Sequence, residues 1–201
     1  MGKIYCVMGK SSSGKDTIYR EIMARGELPL ERIVPYTTRP IREGETPGKE
    51  YIFCDETQVQ TLLAEDRIVE LRTYQTVYGP WKYFTVDDGQ IDLEAHSYLY
   101  IVTLEGYRKI RAYFGNERVV PIYIEVEDGE RLLRAIARER QQKTPQYEEM
   151  CRRFLADAAD FSREKLEEAG VDRVFENREL EQTIREVTEY IGGSLNGYES
   201  P

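Results

Sequence analysis

Apolar and polar positions along the chain fall into runs of two kinds. Ile4-Tyr5-Cys6-Val7-Met8 is apolar throughout, and Tyr98 to Leu104 and Val119 to Val126 nearly so. Runs of that kind predict strands covered on both faces. Ile18, Ile22 and Met23 instead recur at helical spacing and predict a helix that ends near Gly26. Arg32 to Tyr36 and Tyr51 to Phe53 predict short strands, and Glu56 to Ala64 a helix carrying Val59, Leu62 and Leu63. Arg67 to Arg72, Thr76 to Tyr78 and Trp81 to Val86 predict three more short strands. After the strand at Tyr98, Glu105 to Phe114 reads as a helix. Asp128 to Arg140 reads as another, with Asp128 as its N-cap. A long helix is expected from Pro145 to about Glu168, then a strand at Val171 to Phe175 and a helix at Arg178 to Ile191. Gly192 to Pro201 reads as a disordered tail.

Strands alternating with helices imply an α/β fold: a parallel sheet flanked by helices, with right-handed crossovers. The short strands between residues 34 and 85 interrupt that alternation and predict a small, mainly β insertion. The 201 residues suffice for one such unit. No apolar run approaches the ~20 residues needed to cross a membrane, and strand and turn begin too early for a signal peptide. Three cysteines, Cys6, Cys54 and Cys151, lack metal-ligand spacing and suggest reduced thiols in a cytoplasm. One histidine, His96, disfavours a histidine-based metal site or a Ser-His triad. The net charge of −9 argues against general nucleic-acid binding. Arginines are nevertheless clustered, at Arg39 and Arg42 and again at Arg131, Arg134, Arg138, Arg140, Arg152 and Arg153. Such clusters on an acidic chain suit a small polyanion.

The chemistry centres on Gly9-Lys10-Ser11-Ser12-Ser13-Gly14-Lys15-Asp16-Thr17, between a predicted strand and a predicted helix. That is the P-loop arrangement: glycines admit backbone N–H groups to a phosphate, the helix N-terminus favours negative charge, and Lys15 adds a cation. Asp16 stands where a Ser or Thr usually offers its hydroxyl to magnesium. It either holds the cation, directly or through water, or supplies negative charge to the helix end. Phosphoryl transfer also needs an acceptor site. Arg39 and Arg42 suit a phosphate-bearing acceptor, with the Tyr51 and Tyr78 hydroxyls beside them.

Thr37-Thr38-Arg39-Pro40-Ile41-Arg42-Glu43-Gly44-Glu45, followed by Gly48-Lys49-Glu50-Tyr51-Ile52-Phe53, resembles the acceptor motif of the guanylate kinases. Tyr78-Gly79 and Phe175-Glu176-Asn177 extend the resemblance over nearly the whole chain. The resemblance implies a P-loop kinase fold. Its core would be residues 1–33, 86–127 and 155–191, with an acceptor-binding insertion at 34–85, a helical lid at 128–154 and a flexible tail at 192–201. It implies ATP as donor, Mg2+ as cofactor and a nucleoside monophosphate, GMP foremost, as acceptor. Residues 9–17 and Asn177 would bind ATP. Arg39, Arg42, Tyr51, Glu70, Tyr78 and Thr103 would bind the acceptor, Glu70 reading the guanine edge. Lys15, Arg39, Arg138, Arg140 and Arg153 would serve the transferring phosphoryl. Either Arg138 or Arg140 fits the first lid role, and either Arg152 or Arg153 the second.

Three positions depart from the family pattern. The two hydroxyl residues that read guanine O6 fall on Pro35 and Pro80, which offer neither hydroxyl nor N–H. An aspartate near base and metal falls on Thr103. Two other readings follow: a P-loop kinase for another phosphorylated small molecule, and a non-catalytic binding module, against which the intact Lys15 argues.

Overall fold

The computed structural model describes residues 1–42, 44–76 and 78–197. The core is a five-stranded parallel sheet, β2-β7-β1-β8-β9. Its strands are β1 (Ile4–Met8), β2 (Leu30–Arg32), β7 (Ser97–Ile101), β8 (Val119–Glu125) and β9 (Val174–Glu176). β1 is central and wholly buried, which explains its unbroken apolar run. Its side chains alternate. Ile4, Cys6 and Met8 pack on α3 (Leu104–Phe114) through Tyr107 and Ile110. Tyr5 and Val7 pack on α1 (Lys15–Arg25) and α7 (Leu180–Leu195) through Ile18, Ile22, Ile184 and Val187.

A second sheet, β4-β3-β6-β5, comprises β3 (Tyr36–Thr37), β4 (Ile52–Phe53), β5 (Ile68–Thr76) and β6 (Gly79–Val86). Its own small core joins Phe84 and Val86 to Val59 of α2 (Glu56–Ala64). The remaining helices are α4 (Asp128–Arg140), α5 (Tyr147–Asp160) and α6 (Arg163–Glu168).

Several sequence expectations are corrected. Arg32 to Tyr36 is not one strand. The chain leaves the core sheet at Arg32 and enters the second at Tyr36, and the Gln90 side chain takes the Val34 N–H at 2.8 Å. Arg67–Arg72 and Thr76–Tyr78 are not separate strands. β5 runs through Thr76 and folds back as a hairpin, closed by Thr76 Oγ1 donating to the Gly79 carbonyl at 2.7 Å; Val77 lies outside the described residues. β7 ends at Ile101, because Thr103 caps α3. Asp128 is not the cap of α4. Glu127 is, its carboxylate accepting from the Glu130 N–H at 3.0 Å.

The long helix breaks at Phe161, which stacks on Tyr123, and Ser162 caps a new one. Val171 closes α6 by donating to the Leu166 carbonyl, so β9 starts later than expected. The tail expectation fails for residues 192–195, which continue α7; Lys3 Nζ holds Ser194 by its carbonyl and hydroxyl, at 3.2 and 3.0 Å. Residues 198–201 lie outside the described residues.

Candidate active site

The chemistry-bearing segments leave the parallel sheet at its C-terminal edge, where open α/β sheets bind ligands. The turn after β1 carries residues 9–14, that after β7 carries Thr103, and that after β9 carries Asn177. The turn after β1 needs its glycines. A side chain at Gly9 would put Cβ 2.5 Å from the Ile124 carbonyl oxygen. Gly14 has φ 86°, and a Cβ there would collide with Asn177 Nδ2. Gly14 leads into α1 without a side-chain cap. Among the described residues, the N–H groups of Gly14, Lys15 and Asp16 have no hydrogen-bond partner, and the buried hydroxyls of Ser12 and Ser13 have none either. Buried polar groups are ordinarily paired. A cradle of unpaired donors at a helix N-terminus is built for an anion.

The loop is held from behind by Arg131, which the sequence reading grouped with the arginines suited to a polyanion, and by Asp157, which it did not name. Arg131 is 1% exposed and donates to the Ser11 carbonyl and to Asp128, both at 3.0 Å, and to Asp157 at 3.3 Å. It also lies 4.6 Å over the Phe154 ring. Asp157 accepts the Ser11 N–H at 2.7 Å. Lys10 pairs with Asp128 at 3.3 Å. Burial alone would raise the Asp128 pKa, but Lys10 and Arg131 bring it below the usual aspartate value. Asn177 spends its amide on the Ser13 carbonyl at 2.8 Å, so it positions the loop.

A cleft of about 420 Å³ opens before the loop, lined by Ser12, Asp16, Thr17, Arg134, Arg138 and Asn177 among others. Lys15 stands at the helix start, its ammonium 3.4 Å from the Asp16 carboxylate. Arg134 is paired to Glu130, whereas Arg138 has no ion-pair partner among the described residues. Arg140 and Arg153 do not line the cleft. Arg140 lies two residues past Arg138, on another face of α4. Arg152 and Arg153 are both bound to Glu149, holding its pKa down at about 2.

The second sheet carries the other cluster. Arg39 is buried, its two terminal nitrogens donating to the Glu45 carboxylate at 3.1 and 2.7 Å. It stacks near Tyr51 and Phe53, and its Nε has no partner among the described residues. Burial pulls its pKa down, but Glu45 and nearby Tyr83 more than restore it. Burial raises the Tyr51 phenol. Arg42 is exposed and brings only its backbone N–H to Glu45. Tyr78 does not join them. It is 82% exposed and stacked on Trp81; Tyr83, packed edge-on to Tyr51, is a second tyrosine beside Arg39. Glu70 is buried against Arg72 and Thr85, and Thr103 serves as the α3 cap, accepting the Gly106 N–H at 3.1 Å.

A P-loop followed by a helix, set on a parallel sheet flanked by helices, defines a P-loop kinase fold. The guanylate kinase family model matches residues 1–193. The chain belongs to the guanylate kinase family. It is 29% identical over 133 residues to a guanylate kinase of Mycoplasma pneumoniae, covering 66% of this chain and 54% of that protein. With that of Neisseria gonorrhoeae the identity is 32% over 104 residues, 52% of this chain and 48% of the relative. With that of Methylococcus capsulatus it is 33% over 82 residues, 40% of each. The chain thus spans about half the length, or less, of these curated relatives. A crystal structure of guanylate kinase from Anaplasma phagocytophilum superposes with a TM-score of 0.65 at 21% identity, covering 96% of this chain and 85% of that one.

Proposed function

We propose that the chain is an ATP-dependent nucleoside monophosphate kinase whose first acceptor is GMP. The observation that carries this reading is the cradle at residues 9–16: unpaired N–H groups at a helix start, beside Lys15 and across a cleft from Arg138. Residues 34–85 serve as the acceptor-binding insertion and 128–154 as the lid. The loop N–H groups, the Ser12 and Ser13 hydroxyls and Lys15 take the donor phosphates. Arg138 approaches the transferring group from the lid side. Arg39, fixed by Glu45, takes the acceptor phosphate with Arg42 and Tyr51. Such a transfer is catalysed by positioning and charge stabilisation, with little covalent chemistry for the protein.

Among the described residues no cluster of three His, Cys, Asp or Glu is placed to hold a metal ion. Magnesium in kinases is commonly bound by one carboxylate plus substrate phosphates and water. Asp16, 71% exposed at the cleft, fits that role. When bound, the ion neutralises developing phosphate charge. Lys15 pairs with the same carboxylate and keeps it beside the phosphates. No helix of the described residues is long and apolar enough to cross a membrane; a reducing cytoplasm suits the three free cysteines. The test is ADP release from ATP with GMP present and absent. GMP-dependent ADP release is expected; ADP release that does not depend on an added nucleoside monophosphate would defeat the reading.

A further inference from the structure

Glu70 and Arg72 stand two residues apart on β5 and so share a face of the sheet. Their side chains form a closed pair. Glu70 Oε2 accepts from Arg72 Nε at 2.9 Å, while Oε1 accepts from Arg72 Nη2 at 3.1 Å and from Thr85 Oγ1 at 3.0 Å. The Glu70 side chain is 0% exposed and that of Arg72 14%. Arg72 Nη1 has only a long contact, 3.5 Å, to the Thr103 hydroxyl. The polar surface offered here is therefore a guanidinium with free N–H groups. The carboxylate lies behind it.

That order inverts what a ligand can find. A bare carboxylate accepts from N–H groups, such as N1–H and the 2-amino group of guanine. A guanidinium only donates, and its natural partners on guanine are O6 and N7. Pro35 and Pro80 cannot donate to O6 at all. We propose that Arg72 is a specificity-determining residue of the acceptor site: it masks Glu70 and donates to the 6-oxo group, leaving the 2-amino group unread. The proposal rests on the nucleoside monophosphate kinase reading above and narrows its substrate class to 6-oxopurine monophosphates, with or without a 2-amino group. Thr85 and Thr103 hold the pair: the first fixes Glu70 and also meets the Tyr100 hydroxyl at 2.9 Å, and the second faces Nη1.

The experiment compares kcat/KM for GMP, IMP and AMP in the wild type, Glu70→Gln and Arg72→Ala, with a thermal melt of each. GMP and IMP differ only in the 2-amino group. The wild type is expected to use them within tenfold of each other and AMP at least a hundredfold less well. Glu70→Gln should leave the GMP/IMP ratio unchanged, because Glu70 is not reading the base. Arg72→Ala uncovers a carboxylate and should raise that ratio about 10–150-fold, the scale of a hydrogen bond to a charged group. If Arg72→Ala fails to fold, the wild-type and Glu70→Gln ratios decide. A wild-type preference for GMP over IMP above tenfold, a ratio that collapses in Glu70→Gln, or AMP used as well as GMP would overturn the role of Arg72 while leaving the kinase reading intact. Turnover with none of the three while ATP binds would overturn the kinase reading and the proposal with it.

Discussion

Replacing Arg131 with methionine removes a guanidinium that is 1% exposed while keeping most of its apolar bulk. The arginine joins α4 to the Ser11 carbonyl and, through Asp157, to α5. Breaking a buried pair by deleting one partner costs about 3–5 kcal/mol, because the other charge is left uncompensated. Here Asp157 keeps the Ser11 N–H and is 16% exposed, which favours the lower end, about 3 kcal/mol. For a chain of this size that lowers Tm by about 6–12 °C. The Ser11 carbonyl also loses its donor, so KM for ATP should rise with the loss of stability. Asp128→Asn makes the control: Asp128 is half exposed, and its pairs should count for about 1 kcal/mol or less. Thermal melts of both variants, with ATP titrations, provide the assay. A drop below 2 °C for Arg131→Met, or one no larger than that of Asp128→Asn, would show that Arg131 does not brace the loop.

The loop, its flanking strand and helix, and α2 were legible because the signals were local. Glycine spacing announces the phosphate cradle, and Val59 and Leu62 fix a helical face whose bounds came out as Glu56–Ala64. The buttress behind the loop was not legible. Arg131, Asp157 and Ser11 meet only when α4 and α5 pack over the turn after β1, and no spacing encodes that. The setting of Tyr78 was not legible, because a motif gives the order of residues but not what each side chain meets: Tyr78 is exposed on Trp81, while Tyr83, paired with Thr37 on the neighbouring strand, joins Tyr51 beside Arg39. Arg72 was findable. It lies at i+2 from Glu70 in a strand-like run, which alone puts a cation beside the carboxylate assigned to the base. Glu45 was quoted within the motif without a role, and it is the partner that fixes Arg39. Residues 192–201 were read as a disordered terminus, but Lys3 anchors the helix end at Ser194.

Lys15→Ala should lower kcat about 10²–10³-fold with Tm little changed, because the lysine stands at the start of α1 and is paired there with the exposed Asp16; near-normal turnover would count against the role of the loop. Asp16→Asn should raise the magnesium needed for half-maximal rate, and an unchanged titration would leave Asp16 as a helix-end charge. Tyr78→Phe should leave the acceptor KM within about twofold, since an exposed, stacked ring has no part in a buried clamp; Tyr83→Phe should raise it more. Glu149 has a folded pKa near 2, below its ordinary 4.5, so its contribution to stability is complete above about pH 4.5 and is lost as pH falls towards 2. Glu149→Gln should flatten the acid limb of the stability profile in that window, measured by melts at stepped pH.

Transfer from a nucleoside triphosphate to a nucleoside monophosphate can be followed on the phosphoryl group itself. ATP radiolabelled in its γ-phosphate is incubated with the chain, magnesium and GMP, and the products are separated. Label is expected in the terminal phosphate of GDP, in step with ADP formation and abolished in Lys15→Ala. Label that stays in ATP, or emerges as inorganic phosphate with none in GDP, would contradict that transfer.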